Sequence, residues 1–462
     1  MSRRSFMITW IIDEKFGGLT TACLQRASSF AKKYGKSNVV TFAYTQHLNS
    51  TVERLRGIGL IASGVKVHNL YSDYASRVSH PPVKKLAVKA EGMKWSVEPV
   101  ESQVNDAGIF KHVYAHTDDS ASSRIIYSRP DGSKFMSDAK FVADGESKRE
   151  IAIFNGAGEV LKKFSSASSL YRHWLTEIVG YEESIAVFDS SFVASMMGPW
   201  RAPKTTKMFV FHSSHVVAGA EPETGPVVPK HQKIAANADN WDVFVFLTRQ
   251  QADDFNARFG HESKSVVIPN IIKSSSLKKF SRRNDPRQII SVGSLDSRKQ
   301  VDHAIRAVHE LKELGVDCKL TIVGKGQKQH ELQSLAKELG LSDRIEFAGH
   351  VDDVPRRLAN SGILLFTSKL EGQGLVLLEA QFHGCVPISY DVRYGPASVI
   401  DSGVNGMLVG PNDIHALSSH VASLIDNPKE YKRLSKQAHS SAKRYARQDL
   451  TNLWIKAAKN AR

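Results

Sequence analysis

Cysteine is scarce: Cys23, Cys318 and Cys385 are the only three in 462 residues. Their spacing fits neither a disulfide framework nor a metal-binding pattern, and each sits among apolar residues. Buried free thiols in a reducing cytosol are expected. Long apolar runs are missing too. The longest near the start, Phe6 to Ile12, is too short to span a bilayer, and no small-residue cleavage site follows it. Neither a membrane-spanning chain nor secretion by a leader peptide is expected. Acidic charge is in deficit: 47 Asp and Glu face 62 Lys and Arg, a formal net charge of +15. That excess favours a polyanionic partner, whether nucleic acid, an anionic membrane surface or an acidic polymer. The apolar content of 41% and charged content of 24% are ordinary for a globular protein, and the length allows two or three domains.

What the chain does have is one dense stretch, Ser368-Lys-Leu-Glu371-Gly-Gln-Gly-Leu-Val-Leu-Leu-Glu379-Ala-Gln-Phe-His-Gly384-Cys-Val-Pro387. Before it, Ile363-Leu-Leu-Phe-Thr367 is an apolar run short enough for a buried parallel strand. Gly372 and Gly374 let the backbone approach a ligand closely. A helix is expected to start near Leu375 and stop at Gly384, with its free N–H groups and positive dipole end facing the loop. That end is an anion site, and Glu371 before the helix and Glu379 inside it can serve different parts of one ligand.

The rest of the chain alternates. A first strand is expected over Ser5 to Ile12, then a Gly17-Gly18 turn and a helix to about Lys33. Strands at Asn38 to Tyr44 and Val65 to Leu70 continue the pattern. From about Asp73 to Leu175 it gives way to short strands with turn signals. Pro130-Asp-Gly132 and Asn155-Gly-Ala-Gly158 mark two hairpins of an antiparallel insert. Alternation then resumes through strands at 184–188, 207–211, 241–247 and 265–268, with His212 at the end of one and a helix from Arg249 to Phe259. Ser274 to Arg287, rich in Ser, Lys and Arg, is the expected linker. Beyond it, strands at 288–292, 319–323, 344–348 and 363–367, with helices between, predict a doubly wound parallel sheet. Helices over 414–425, 429–445 and 450–461 close the chain.

Glu371-x7-Glu379 followed by Gly384-Cys-Val-Pro387 resembles the donor-site signature of retaining glycosyltransferases of the GT-B fold, family 4. Tyr390-Asp-Val-Arg-Tyr394-Gly-Pro396 is similar to a stretch of the branch that glucosylates poly(glycerol- or ribitol-phosphate). The insert resembles the β-rich extension of those enzymes and of the related serine-rich-protein transferases. The resemblance implies an α/β chain of two Rossmann-like domains: an acceptor domain over 1–72 and 176–283, interrupted by the β insert over 73–175, and a nucleotide-sugar domain over 284–445. A C-terminal helix over 446–462 would cross back onto the first domain.

It also implies roles. Glu371 would contact the donor sugar, Glu379 the ribose, and His212 would face the sugar. The loops of Gly17 and Gly18, Gly293 and Ser294, Gly324 and Gly326, His350 and Val351, and Gly372, Gly374 and Leu375 would surround the donor. Lys299 matches the family's diphosphate-binding lysine, whereas Ser294 stands where an arginine is usual; Arg298 is expected to supply that charge. Asp352-Asp353 is not the spaced Asp-x-Asp of a metal site and is expected to cap the helix entered at Val354. Leaving-group stabilisation is accordingly expected from cations and helix dipoles, without metal or other cofactor. The implied function is transfer of a hexose or N-acetylhexosamine from a UDP-sugar to a teichoic-acid-type polymer. Transfer to Ser or Thr of a serine-rich protein and an inactive sugar- or polymer-binding partner subunit are the alternatives. A nucleic-acid partner would explain the charge but not the Glu pair. A cytoplasmic location, peripheral association with the inner membrane face and self-association through the insert complete the expectations.

Overall fold

The computed structural model describes residues 4–14, 16–77, 86–272, 284–446 and 450–461. The chain divides into two compact units, Met1–Glu14 with Phe30–Lys207, and Lys15–Ser29 with Met208–Arg462. Its elements run β1 (Arg4–Ile8), α1 (Gly18–Tyr34), β2 (Ser37–Thr41), α2 (Leu48–Gly57), β3 (Val65–Asn69) and α3 (Leu70–Ala75). Then come β4 (Glu101–Val104), β5 (Phe110–Ala115), β6 (Ser123–Ser128), β7 (Lys134–Ala143), β8 (Glu146–Phe154) and β9 (Val160–Phe164). Next are α4 (Ala167–Val179), β10 (Ser184–Phe188), α5 (Ser191–Met196), β11 (Thr205–Phe211), α6 (Pro229–Ala235), β12 (Val243–Phe246), α7 (Arg249–Phe259) and β13 (Ser265–Val267).

In the first unit β10, β1, β2 and β3 lie side by side, all parallel. The opening strand is shorter than its apolar run, because Trp10 turns its carbonyl to the N–H groups of Phe42 and Ala43 instead of extending the ladder. β4 to β9 form an antiparallel meander in chain order. Both expected hairpins are present, as β6–β7 and β8–β9. A third, β7–β8, turns on Asp144-Gly145, both at positive φ (57° and 75°), which is the type I′ geometry that matches strand twist. The meander is tied to the parallel strands of this unit by polar contacts and rings. Tyr44 Oη donates to the Ile109 carbonyl (2.8 Å), Arg129 donates to the carbonyls of Ala75 and Arg77 (2.9 and 3.1 Å), and Tyr71 and Tyr127 lie 4.6 Å apart.

In the second unit β11, β12 and β13 are parallel neighbours. A six-stranded parallel sheet follows. Its elements are β14 (Gln288–Val292), α8 (Val301–Glu313), β15 (Lys319–Val323), α9 (Gln329–Glu338), β16 (Ile345–Gly349), α10 (Val354–Asn360), β17 (Ile363–Phe366) and α11 (Leu375–Phe382). They continue with β18 (Val386–Tyr390), α12 (Pro396–Val399), β19 (Met407–Val409), α13 (Ile414–Asp426), α14 (Pro428–Ala442) and α15 (Leu450–Asn460). The strand order is β16-β15-β14-β17-β18-β19. Alternate residues feed two cores: Ile289, Leu320, Ile322, Ile363 and Leu365 face α8, α9 and α13, whereas Ile290, Val323, Leu364 and Phe366 face α10 and α11. Within this unit the C-terminal helix meets the middle of α1. The Arg26 guanidinium stacks 4.4 Å over the Trp454 ring, and the Ser29 and Thr451 hydroxyls are 2.6 Å apart.

Among the described residues no helix is long and apolar enough to cross a membrane. The three cysteines are buried, and no disulfide joins them among the described residues. The linker expected at Ser274 to Arg287 lies largely in 273–283, outside the described residues. The cap expected at Asp352-Asp353 is corrected: Asp353 holds the N-cap position, but its side chain accepts no helix N–H. Its φ of −102° and ψ of 39° are not the extended geometry of a capping Asp.

Candidate functional site

Every residue singled out for donor binding or catalysis falls in the second unit. Parallel strands leave their ligand loops at one edge of the sheet. Gly293 and Ser294 follow β14, Gly324 follows β15, His350 follows β16, and the Glu371 turn follows β17. Two of these loops cross with backbone against backbone. Gly324, at φ 144°, has room for no side chain: a Cβ there would lie 1.8 Å from the Gly293 carbonyl oxygen. Gly326 is equally tight against the Leu295 carbonyl (2.2 Å), and the Leu295 N–H donates to the Lys325 carbonyl (3.0 Å).

At this edge Lys299 Nζ meets Glu371 Oε1 at 2.5 Å, with both side chains largely buried. The Lys299 stem lies over Gly293, and its ammonium sits 5.1 Å from the Phe366 ring centre. The backbone of Glu371 is clamped on both sides: its N–H donates to the Arg393 carbonyl (3.1 Å), and its carbonyl accepts from Tyr394 (2.8 Å). The Tyr390 to Pro396 stretch thus holds the carboxylate in place. A Cβ at Gly372 would lie 2.2 Å from the His212 carbonyl oxygen, so only glycine lets the His212 strand end reach the Glu371 turn.

The remaining expected residues divide. Phe16, beside Gly17 and Gly18, packs edge-on to His350, with centroids 6.4 Å apart. His350 Nε2 is buried with no hydrogen-bond partner among the described residues. Side chains added at Gly17 or Gly18 would meet nothing within 4 Å, so packing does not demand glycine there. Val351 and Leu375 lean instead on the apolar core behind the loops. Gly374, left-handed at φ 76°, starts α11, whose first N–H groups point toward the Glu371 turn. Glu379, one turn further along α11, has no side-chain partner among the described residues, and burial pushes its carboxyl up to about 7.

Ser294 is taken up locally. Its hydroxyl donates to Asp296 Oδ2 (2.7 Å), and Arg298 Nη2 lies 3.5 Å from both Ser294 Oγ and Asp296 Oδ2. The Arg298 guanidinium therefore stands beside the very side chain that replaces the usual arginine, half-exposed and held by an acid. Burial works against the charge on Asp296, but the Ser294 hydroxyl and the Arg298 charge hold its carboxyl below the usual range.

Two supporting residues escaped the sequence. The Thr367 hydroxyl lies 2.9 and 2.8 Å from the carbonyl oxygens of Lys299 and Gln300, fixing the backbone that carries Lys299. Gln300 is left-handed (φ 44°, ψ 47°), and its amide donates to Asn412 Oδ1 (2.9 Å). A non-glycine residue in that conformation next to Lys299 is local strain held by its surroundings. Neither residue type signals such a role; the contact joins positions 67 and 68 apart in the chain.

Residues 273–441 match the family described as Glycosyl transferases group 1. The chain is similar over 502 aligned positions to the poly(glycerol-phosphate) α-glucosyltransferase of Bacillus subtilis, at 20% identity, covering 97% of this chain and 74% of that protein. It is similar over 501 positions to the poly(ribitol-phosphate) α-N-acetylglucosaminyltransferase of Staphylococcus aureus, at 21% identity, covering 98% and 99%. Among solved structures, S. aureus TarM in complex with fondaparinux, α-GlcNAc-glycerol and UDP superposes with a TM-score of 0.78 over 99% of each chain, at 18% identity. The fold is GT-B, with an antiparallel β insert.

Proposed function

We propose that this chain, which carries a Glycosyl transferases group 1 domain at residues 273–441, is a retaining glycosyltransferase. It moves a hexose or N-acetylhexosamine from a UDP-sugar to a polyol-phosphate polymer. The observation that carries the reading is the largely buried Lys299–Glu371 pair at the loop edge of a parallel sheet. Likeness along almost the whole chain to two polyol-phosphate transferases supports the choice of acceptor.

In this reading the sugar's C1–O bond to the diphosphate breaks as the acceptor hydroxyl bonds to C1 on the same face. The acceptor's proton leaves with the diphosphate oxygen. Lys299 and the N-terminus of α11 stabilise charge growing on that diphosphate, and Arg298 adds a second cation from beside Ser294. Lys299 keeps two N–H donors for phosphate while the third binds Glu371. Glu371, fixed through its backbone, takes the sugar hydroxyls, His212 faces the sugar, and Glu379 receives the ribose hydroxyls. The reading needs no metal or other cofactor. A cytoplasmic site of action follows from the nucleotide-sugar donor, and association with a membrane face or with further copies through the insert belongs to the same proposal.

Incubation with a panel of nucleotide sugars, with and without poly(glycerol phosphate), tests it by nucleotide release. Release that depends on a UDP-sugar and rises with the polymer is expected. No release with any donor would leave only a binding subunit.

A further inference from the structure

The basic excess is unevenly placed. Residues 429–462 hold ten Lys and Arg against two acids, Glu430 and Asp449, a net of +8 out of +15. On α14 and the turn that follows it, Lys429, Lys432, Lys436 and Lys443 succeed one another at intervals of three, four and seven residues. That spacing puts all four on one ridge. All four are exposed, and none has a carboxylate within ion-pair distance among the described residues. Their neighbour Arg433 is by contrast occupied, by Glu430 (2.6 Å) and the Gly403 carbonyl (2.6 Å). The far side of the helix, Tyr431, Leu434, Ser435, Ala438 and Ala442, is buried. The ridge is therefore fixed in direction.

Like charges one turn apart, as at Lys429, Lys432 and Lys436, oppose their own helix. Elsewhere this chain places acids beside its lysines, as at Lys134–Glu91, Lys148–Asp144 and Lys163–Glu150. On the ridge it does not. The exposed residues there are Lys429, Lys432, Arg433, Lys436, Gln437, Ser440, Lys443 and Arg444, with no apolar side chain among them. A helix that lies on a bilayer sets apolar residues next to its cations. This one presents a narrow hydrophilic line about 21 Å long, at about 1.5 Å per residue, which suits an extended, linear polyanion.

We propose that the Lys429–Lys443 ridge is a docking track for the phosphates of the acceptor polymer, separate from the residues that handle the donor. The inference rests on the polyol-phosphate reading of the acceptor. It means that long chains are held at the ridge while one of their hydroxyls reacts, and that chains shorter than the ridge react without it.

The test uses the full chain with the four substitutions Lys429→Gln, Lys432→Gln, Lys436→Gln and Lys443→Gln. A charge-matched control carries Lys66→Gln, Lys140→Gln, Lys319→Gln and Lys337→Gln, all at exposed positions. Acceptors are a glycerol-phosphate dimer and long poly(glycerol phosphate), with the UDP-sugar that wild type turns over. The ridge variant should raise KM for the long polymer at least about tenfold and flatten its salt dependence by about three in log–log slope, near 0.7 per lost phosphate contact. It should leave turnover of the dimer unchanged. The control should raise KM less than about twofold. An equal rise in both variants would mean bulk charge alone and overturn the track, as would an unchanged KM in the ridge variant. Loss of binding to phosphatidylglycerol vesicles with polymer KM intact would assign the ridge to a bilayer instead. If wild type glycosylates neither acceptor, the acceptor class itself fails, which no ridge variant can mimic.

Discussion

Replacing Glu379 by Gln separates the charge of one carboxyl from its shape. The side chain is partly open on α11, has no partner among the described residues, and is pushed by burial from 4.5 up to about 7. An acid whose folded value is raised keeps a proton that the unfolded chain has already released. Stability therefore falls as pH rises from about 4.5 through about 7, by at most about 3–4 kcal/mol at roughly 1.4 kcal/mol per pKa unit. Ribose hydroxyls donate to a carboxylate, and the ionised form is the stronger acceptor. With a value of about 7, the ionised share grows about tenfold between pH 6 and pH 8. Affinity for UDP-glucose, whose esterified diphosphate does not titrate in that range, should rise by up to the same factor. Calorimetric titration at pH 6, 7 and 8 reads this directly. Glu379→Gln should bind with an affinity nearly flat in pH and melt at a higher temperature than wild type at pH 8. A wild-type affinity flat across the range, or an unchanged pH dependence in Glu379→Gln, would refute the reasoning.

The ion pair makes a second prediction. Glu371→Ala and Lys299→Ala should each lower kcat more than about tenfold, at least roughly 1.4 kcal/mol, and the double variant should lose little more than either, because the two act as a unit; additive losses would contradict the pairing. Arg298→Ala should lower turnover about tenfold with Ser294→Arg neutral or mildly activating; activity created by Ser294→Arg where wild type has none would mark a degenerate transferase. Thr367→Val leaves the carbonyls of Lys299 and Gln300 without their hydroxyl, so a loss of about 1–3 kcal/mol in stability together with reduced kcat is expected, and an unchanged kcat would show that Lys299 needs no such support. Turnover should persist in excess EDTA; complete loss restored by Mg²⁺ or Mn²⁺ would reveal a metal requirement.

The second half of the chain was the more legible. β14, β15 and α7 run over the residues that apolar periodicity and flanking turns indicate. Buried parallel strands are apolar throughout, and amphipathic helices alternate with them, so local pattern and tertiary burial agree. The hairpin at Asp144-Gly145 carried a strong turn signal, yet half-exposed strands on either side blurred the alternation that would frame it. At the site, Glu371 and Glu379 were marked by their spacing in one motif, and Lys299 by its place in the separate Gly293 to Lys299 stretch. Thr367 and Gln300 were not, because a hydroxyl on a carbonyl 67 positions away leaves no local trace. The caps show the same limit: an Asp before a helix is a common cap, but at Asp353 the backbone angles keep the carboxylate off the helix N–H groups.

The central claim is transfer of a sugar to a polyol-phosphate chain with its anomeric configuration kept. It is tested most directly by NMR of purified poly(glycerol phosphate) after incubation with the protein and UDP-glucose or UDP-N-acetylglucosamine. The account predicts a new anomeric signal on the polymer with the donor's α configuration, absent with Glu371→Ala. UDP released with no sugar on the polymer, or a β-linked product, would contradict it.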